Sequence, residues 1–213
     1  KVTTITNRYA PEERSISVQK VWDDGNNQDG KRTESVTVRL TADGEPYGDD
    51  VVLSEANEWS HTWGSLPKKA DGTDIEYKVD EVSVPEGYEK SVTSTESGNT
   101  TSYTITNIHT PETTDATVEK VWNDGEDRDG KRPEKLTVEL VNGNSVAGSV
   151  TLDEENHWTG SVTGVPKYEG GQEIEYTWRE VGMPEGYSLE GSSKSGKVTT
   201  ITNRYAPEER SIS

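Results

Sequence analysis

Each half of this sequence contains one lysine, one glutamate and one asparagine where a β-strand would turn the side chain toward an apolar face. In a strand, successive side chains point to opposite faces, so Val18, Lys20 and Trp22 share one face. Burying a charge there is costly unless the charge is paired or removed. We therefore expect three side chains to meet in each core. The candidates are Lys20, Glu81 and Asn107 in the first half, and Lys120, Glu180 and Asn203 in the second.

Side chains of these three types can form a covalent bond without a cofactor. Desolvation lowers the pKa of a lysine and raises the pKa of a glutamate. The neutral lysine amine is a nucleophile, and the protonated carboxyl group can donate a hydrogen bond to the asparagine amide oxygen. Attack of lysine Nζ on asparagine Cγ, with the glutamate transferring protons, would expel ammonia and leave an amide bond. Each set would react once, so the sequence does not predict an enzyme with turnover.

The alternative is that these residues are unrelated side chains at strand ends, exposed to solvent. For any one of them alone this interpretation is the better one, because Lys and Glu are rarely fully buried. However, the spacing from lysine to glutamate is 61 and 60 residues in the two halves, and from lysine to asparagine 87 and 83. The loops between them differ in length while the three residue types persist, which favours a shared site.

The composition favours an ordered, acidic β-protein. The 213 residues carry a formal net charge of −18 and are only 28% hydrophobic, which is typical of disorder. Six Trp, nine Tyr and alternating Val, Thr and Ile runs instead favour strands. The excess of acids argues against nucleic-acid binding, and no apolar run is long enough to span a bilayer. The lack of cysteine excludes disulfides and thiolate metal sites.

An exact internal repeat indicates a tandem array. Residues 1–17 are identical to residues 197–213, which makes the period 196 residues. We expect two related units at 15–110 and 113–206. Residues 1–14 are expected to be the last strand of a preceding repeat with its linker, and 207–213 a linker and the start of a following one. Asn7 is therefore expected to stay unlinked within this chain, since no lysine-bearing first strand precedes it.

Short strand candidates separated by Gly, Pro, Asn and Asp recur along both units, and no window has a helical period. Seven short strands in about a hundred residues predict a β-sandwich. The fold class is therefore all-β, with two tandem sandwiches. The predicted strands are 16–22, 35–41, 50–53, 57–63, 74–82, 88–94 and 101–108, then 116–122, 135–141, 148–152, 156–163, 173–181, 187–190 and 197–205.

Four motifs in a fixed order resemble the collagen-adhesin B-type (Cna B-type) repeats of Gram-positive surface adhesins and pili, over nearly the whole chain. They are the KVWxDGxxxDGKR opening, the Tyr-x-x-x-Glu strand that ends at Glu81 or Glu180, the Pro-Glu-Gly-Tyr turn (85–88 and 184–187), and the closing Thr-Ile-Thr-Asn (104–107 and 200–203). The resemblance implies an inverse immunoglobulin-like sandwich. One departure is Trp178, which replaces Val79 of the first unit, and repacking is expected there.

The resemblance also implies a spontaneous isopeptide bond in each unit. Lys20 would bond Asn107 with Glu81 promoting the reaction, and in the second unit the corresponding set is Lys120, Asn203 and Glu180. It further implies a structural stalk in the cell-wall-anchored, extracellular surface of a Gram-positive bacterium. The partners would be neighbouring repeats of the array, and a host matrix protein or glycan held through the full-length protein.

A second functional class is a binding module, in which these repeats themselves hold a host matrix protein or glycan. Such a module predicts an exposed aromatic or apolar patch confined to one unit. The near-identical repeated copies favour the stalk, and binding by the isolated fragment would favour the module.

Other candidate sites are weaker. The loops DDGNNQDG and NDGEDRDG suggest calcium, but an EF-hand loop with Gly130 sixth would begin at Gly125 and place Leu136 twelfth, so a solvated turn is predicted. The histidines occupy non-equivalent places, which supports neither a metal site nor a catalytic triad. Four tryptophans occupy matching strand positions, which indicates core rather than a glycan platform. The histidines are His61, His109 and His157, and the four tryptophans are Trp22, Trp59, Trp122 and Trp158.

Overall fold

The computed structural model describes residues 2–206 and contains two compact units. The chain divides between Pro111 and Glu112. Over the described residues no helix combines the length and the apolar character that crossing a membrane requires. The only helical segment in this range is a single 3-10 turn, Glu55–Asn57.

The first unit is a sandwich of two sheets. One sheet has the order β5-β1-β10-β9, and in the other β2 pairs with β3, β4 and β8. A small hairpin, β6-β7, follows β5. The strands are β1 (Glu13–Asp23), β2 (Ser35–Ala42), β3 (Glu45–Pro46), β4 (Val51–Ser54), β5 (Ser60–Pro67), β6 (Lys69–Ala70), β7 (Thr73–Asp74), β8 (Tyr77–Glu81), β9 (Glu89–Ser97) and β10 (Thr100–Ile108).

The second unit repeats this arrangement. One sheet has the order β14-β11-β19-β18, the other β13-β12-β17, and a small hairpin pairs β15 with β16. The strands are β11 (Thr113–Asn123), β12 (Leu136–Asn142), β13 (Ser145–Leu152), β14 (Thr159–Pro166), β15 (Tyr168–Glu169), β16 (Gln172–Glu173), β17 (Thr177–Glu180), β18 (Tyr187–Ser195) and β19 (Val198–Tyr205). The predicted all-β sandwich fold is confirmed in both units.

The first and last strands of each unit lie side by side and parallel, whereas the other strand pairs are antiparallel. Their inward residues pack against the opposite sheet. In the first unit Ile16 and Val18 of β1 join Val38 and Leu40 of β2 in one core, all at most 2% exposed. This alternation of buried and exposed positions is the period-two pattern predicted from the sequence.

The strands predicted to begin at 57 and 156 begin later, at Ser60 and Thr159. In the first unit the 3-10 turn ends in two consecutive left-handed residues, Glu58 (φ +53°) and Trp59 (φ +57°). Trp158 also has a positive φ, +58°. The prediction that Trp59 and Trp158 lie in strands is therefore wrong. Both rings nevertheless pack on the cores, as predicted.

One sequence adopts two conformations in this chain. Residues 198–205 form β19, in which Ile201 is 3% exposed. The identical residues 2–9 form no strand, and the corresponding Ile5 is 85% exposed. A strand needs neighbours to satisfy its backbone groups, and β19 has β11 and β18. That residues 1–14 end a preceding repeat, and that Asn7 is unlinked, stay predictions. The predicted linker at 207–213 lies outside the described residues.

Candidate functional site

Lys20 and Asn107 lie on neighbouring strands and face the same core. In the parallel β1–β10 pair, Lys20 lies opposite Ile105, and Trp22 lies opposite Asn107. The lysine and the asparagine are therefore diagonal neighbours, a relation that long side chains can span. Lys20 is 2% exposed and Asn107 is fully buried.

Glu81 reaches the same place from the opposite sheet. It ends β8, whose residues alternate strictly between buried and exposed, and it lies opposite Val38 of β2. Glu81 is 4% exposed, and its Oε1 accepts a hydrogen bond of 3.1 Å from Nδ2 of Asn107. The glutamate and the amide that the sequence assigned to one site are thus in direct contact across the sandwich.

In the second unit Glu180 lies within hydrogen-bond or ion-pair distance of both other candidate side chains. Lys120 and Ile201 are opposite each other, as are Trp122 and Asn203. Nδ2 of Asn203 donates to both Glu180 oxygens, at 3.0 and 3.1 Å. Lys120 Nζ lies 3.6 Å from Glu180 Oε1. The contact between the glutamate and the asparagine amide has therefore formed on two sequences that differ in loop length.

Burial shifts the pKa of both lysines and of Glu81 toward values that favour their neutral forms. Desolvation lowers the pKa of Lys20 to about 8, against the opposing attraction of Glu81. The pKa of Lys120 is also lowered to about 8, for the same reason and against the attraction of Glu180. Desolvation raises the pKa of Glu81, although its hydrogen bond with Asn107 opposes this shift. A neutral amine is therefore easier to form in both units than in water, and a protonated carboxyl group is easier to form at Glu81.

Several polar atoms of the site lack hydrogen-bond partners among the described residues. They are Oδ1 of Asn107, Oδ1 of Asn203 and Oε2 of Glu81, all buried. A buried oxygen without a partner is unfavourable. Half a turn of the Asn107 amide would place its oxygen against Glu81, where a protonated carboxyl group would donate to it. That hydrogen bond would polarise the amide carbonyl for attack by the amine.

An aromatic ring covers the lysine amine. Lys20 Nζ lies 4.1 Å from the centroid of the Trp22 ring and donates to the Val21 carbonyl oxygen at 2.8 Å. The Lys120 amine lies 4.4 Å from the Trp122 ring. The ring limits contact of the amine with water, and because the face of an indole attracts cations it also opposes complete loss of the charge.

The aspartate cluster that holds this ring was not predicted from the sequence. Asp24 is 2% exposed and receives two hydrogen bonds from Arg32, at 3.0 and 2.6 Å, and one from Tyr88 Oη at 2.9 Å. The Tyr88 ring packs edge-on against Trp22 at 5.1 Å. The predicted solvated turn is therefore wrong at Asp24, because the bidentate arginine and the tyrosine compensate the buried carboxylate. Arg32 belongs to the DGKR motif and Tyr88 to the PEGY motif, and the recurrence of both motifs in the second unit could have indicated this cluster.

The second unit contains the same supporting cluster. Asp124 is 2% exposed and binds Arg132 through two hydrogen bonds, at 2.9 and 2.8 Å, and Tyr187 at 2.9 Å. The hydrogen bond from Arg132 is the main reason that the pKa of Asp124 is lowered to about 2. Within residues 2–206, no group of three or more histidine or acidic side chains is placed to hold a metal ion.

These features define a class of protein: tandem β-sandwich repeats in which a buried lysine of the first strand and a buried asparagine of the last strand face a glutamate of the opposite sheet. The model of the Cna protein B-type domain matches residues 16–108 and 116–204. The chain therefore belongs to the Cna B-type domain family.

Two similar proteins come from Staphylococcus aureus. A collagen adhesin is 42% identical over 209 residues, which cover 98% of this chain and 17% of that protein. The crystal structure of two B repeat units of the collagen binding protein superposes with a TM-score of 0.80 at 39% identity, over 93% of this chain and 51% of that one. The chain thus spans about half of the solved structure and a sixth of the adhesin.

Proposed function

We propose that this chain is a pair of spacer repeats in the stalk of a Gram-positive, cell-wall-anchored surface adhesin, and that each repeat locks itself with an isopeptide bond. The bonds join Lys20 to Asn107 and Lys120 to Asn203. The observation that carries this proposal is the contact of a glutamate with a buried asparagine in both units, beside a buried lysine on the neighbouring strand. Glu81 is buried, and the Glu180 side chain is 8% exposed. The domain bounds 15–110 and 113–206 belong to the same proposal.

The reaction balances without any added reagent. The lone pair of neutral lysine Nζ attacks asparagine Cγ, and the protonated glutamate donates to the developing oxyanion. The glutamate then carries a proton from the attacking nitrogen to the amide nitrogen, which leaves as ammonia. One C–N bond forms and one breaks. The product is a secondary amide, and the protonated glutamate is regenerated beside it.

The position of the bonds supports a mechanical role. They join the first and last strands of each sandwich, through which the chain enters and leaves the repeat. Tension along an array would pass through covalent bonds rather than through the hydrogen bonds of the sheets. The sequence has no cysteine, and an amide bond, unlike a disulfide, is unaffected by reducing conditions.

Intact-mass measurement under denaturing conditions tests the bonds. We expect the chain to be lighter than its sequence mass by two molecules of ammonia. Lys20→Ala and Glu81→Ala should each restore one of them, since each removes a group that the first reaction requires. Lys78→Ala is the matched control, because this lysine of β8 is largely exposed and pairs with Glu76. A wild-type chain of full sequence mass would disprove the cross-links.

The binding of a host ligand is assigned to other parts of the full-length protein. The relative named collagen adhesin is much longer than this chain, which covers 17% of it. The proposed partners of the repeats themselves are the neighbouring repeats of the array. Surface plasmon resonance with immobilised collagen is expected to detect no saturable binding of this chain. Saturable binding would instead assign the adhesive function to these repeats.

A further inference from the structure

A second lysine lies beside the reactive set of the first unit, on the other side of Asn107. Lys90 of β9 lies directly opposite Asn107 in the antiparallel β9–β10 pair. Directly opposite residues in such a pair point to the same face of the sheet. Lys90 therefore leaves the sheet on the face that carries Asn107, near the free edge of β8, which pairs with β2.

Asp80 connects this second lysine to the backbone of Glu81. Lys90 Nζ forms an ion pair with Oδ1 of Asp80. The same Oδ1 accepts a hydrogen bond of 2.8 Å from the backbone N–H of Glu81. The Lys90 side chain is only 22% exposed, although Asp80 is 63% exposed. The pair thus borders the position of the glutamate that contacts Asn107.

The second unit has no equivalent of this pair. Arg179 replaces Asp80 and forms an ion pair with Glu139, and Leu189 lies opposite Asn203 where the first unit has Lys90. The sulfur of Met183 instead lies 3.4 Å from Nδ2 of Asn203. The two units therefore share the reactive residues but differ in the charges that border them.

We propose that the Asp80–Lys90 ion pair sets the rate of isopeptide formation in the first repeat through the charges that it places beside Glu81, and that the second repeat reacts without this control. The inference rests on the proposed cross-links. It assigns Lys90 no nucleophilic role, because its amine is held as a charged partner of Asp80 whereas Lys20 is buried.

The two charges act on Glu81 in opposite senses. Lys90 lowers the pKa of Glu81, and Asp80 raises it. Lys20 is influenced mainly by burial and by Glu81, Asp24 and Arg32. Reaction requires a protonated Glu81 together with a neutral Lys20. A Lys90 charge left alone would favour the carboxylate and slow the reaction, whereas an Asp80 charge left alone would favour the carboxyl group and speed it.

Two variants that break the same ion pair should therefore change the rate in opposite directions. Asp80→Asn keeps the side-chain shape and the acceptor for the Glu81 N–H, and we expect bond formation about threefold slower, as for loss of a partly exposed charge pair. Lys90→Met keeps the apolar stem, and we expect a rate about threefold faster by the same reasoning. Lys90→Arg keeps the positive charge and should react at the wild-type rate.

The rates can be followed in the full chain. Cell-free synthesis is quenched in guanidinium chloride to isolate unreacted chain. Dilution into buffers between pH 5 and 9 then starts the reaction. This pH range includes the Lys20 pKa of about 8. Samples are quenched with acid and digested, and the two cross-linked peptides are quantified by mass spectrometry. The Lys120–Asn203 peptide is the internal control and should form at one rate in every variant. The effect of Asp80→Asn should shrink as the pH falls, because Glu81 is then protonated in every variant.

Opposite shifts confined to the first repeat would support the proposal. Shifts in the same direction, or no shift, would overturn it, because a purely structural ion pair gives the same loss from either partner. Circular dichroism of each variant in the quenched and refolded states identifies a folding defect. If the wild-type chain forms neither cross-linked peptide, the proposed function itself fails, which is distinguishable from an unchanged rate in the variants.

Discussion

Pulling a single molecule from its two ends is expected to release almost no length from the first repeat of the wild-type chain. In Glu81→Gln the same repeat should unfold and release the segment from Lys20 to Asn107, which is 87 residue steps (107 − 20) and about 300 Å at the extended length per residue. Glutamine keeps the volume of the glutamate but cannot transfer the protons that bond formation requires. Force spectroscopy with handles at both termini measures the step.

The expected difference follows from where the bond lies in the strands. Asn107 is the second-last residue of β10 (Thr100–Ile108), and Lys20 lies near the end of β1 (Glu13–Asp23). Only the first part of β1 and the last residue of β10 lie outside the covalent loop. Without the bond, the load falls on the hydrogen bonds between two parallel strands, which are individually weak.

The second repeat provides the matched control in the same molecule. In Glu81→Gln it should remain inextensible, and Glu180→Gln should instead release the segment from Lys120 to Asn203, which is 83 residue steps (203 − 120). Lys78→Ala should behave as the wild type. A step of full repeat length in the wild-type chain would show that tension does not pass through the proposed bonds.

Thermal unfolding should show the second large effect. A cross-link closing a loop of this length stabilises a protein by about 4–5 kcal/mol in the chain-entropy estimate for disulfides. Glu81→Gln should also leave Lys20 buried without its carboxylate partner. We therefore expect the unfolding temperature of the first repeat to fall by about 20 °C or more, from the usual shift per kcal/mol for a domain of about a hundred residues.

Calorimetry can separate the two repeats. The Glu81→Gln chain should show one transition near the wild-type temperature and one far below it, and Glu180→Gln should show the converse pair. The low transition should be assigned to the first repeat by its loss of protection in hydrogen exchange. A shift of only a few degrees would mean that hydrophobic packing, rather than the cross-link, supplies most of the stability of these sandwiches.

Local alternation in the sequence was sufficient to predict the fold class and the six candidate residues. Val18, Lys20 and Trp22 were assigned to one face because the period of a strand is two, and the structure has this face buried or half-buried. The same rule assigned Tyr77, Val79 and Glu81 to one face, and the three are buried. These assignments to strand faces are confirmed because they depend on neighbours two residues apart, which the sequence displays directly.

The structure alone decided features that depend on distant residues. The burial of Asp24 depends on Tyr88, which follows it by 64 residues, and the left-handed backbone at Trp59 depends on how a turn ends. The alternation of apolar and polar residues carries no information on either.

By itself the sequence determined that each repeat has a lysine, a glutamate and an asparagine on inward strand faces. Only the tertiary structure decided that Glu81 contacts Asn107 from the opposite sheet and that Lys90 lies on the other side of this amide. The physical reason is that alternation specifies a side chain's face, whereas its partner depends on strand order and register. Identical residues at 2–9 and 198–205 illustrate the same limit, since only the copy with neighbouring strands is a strand.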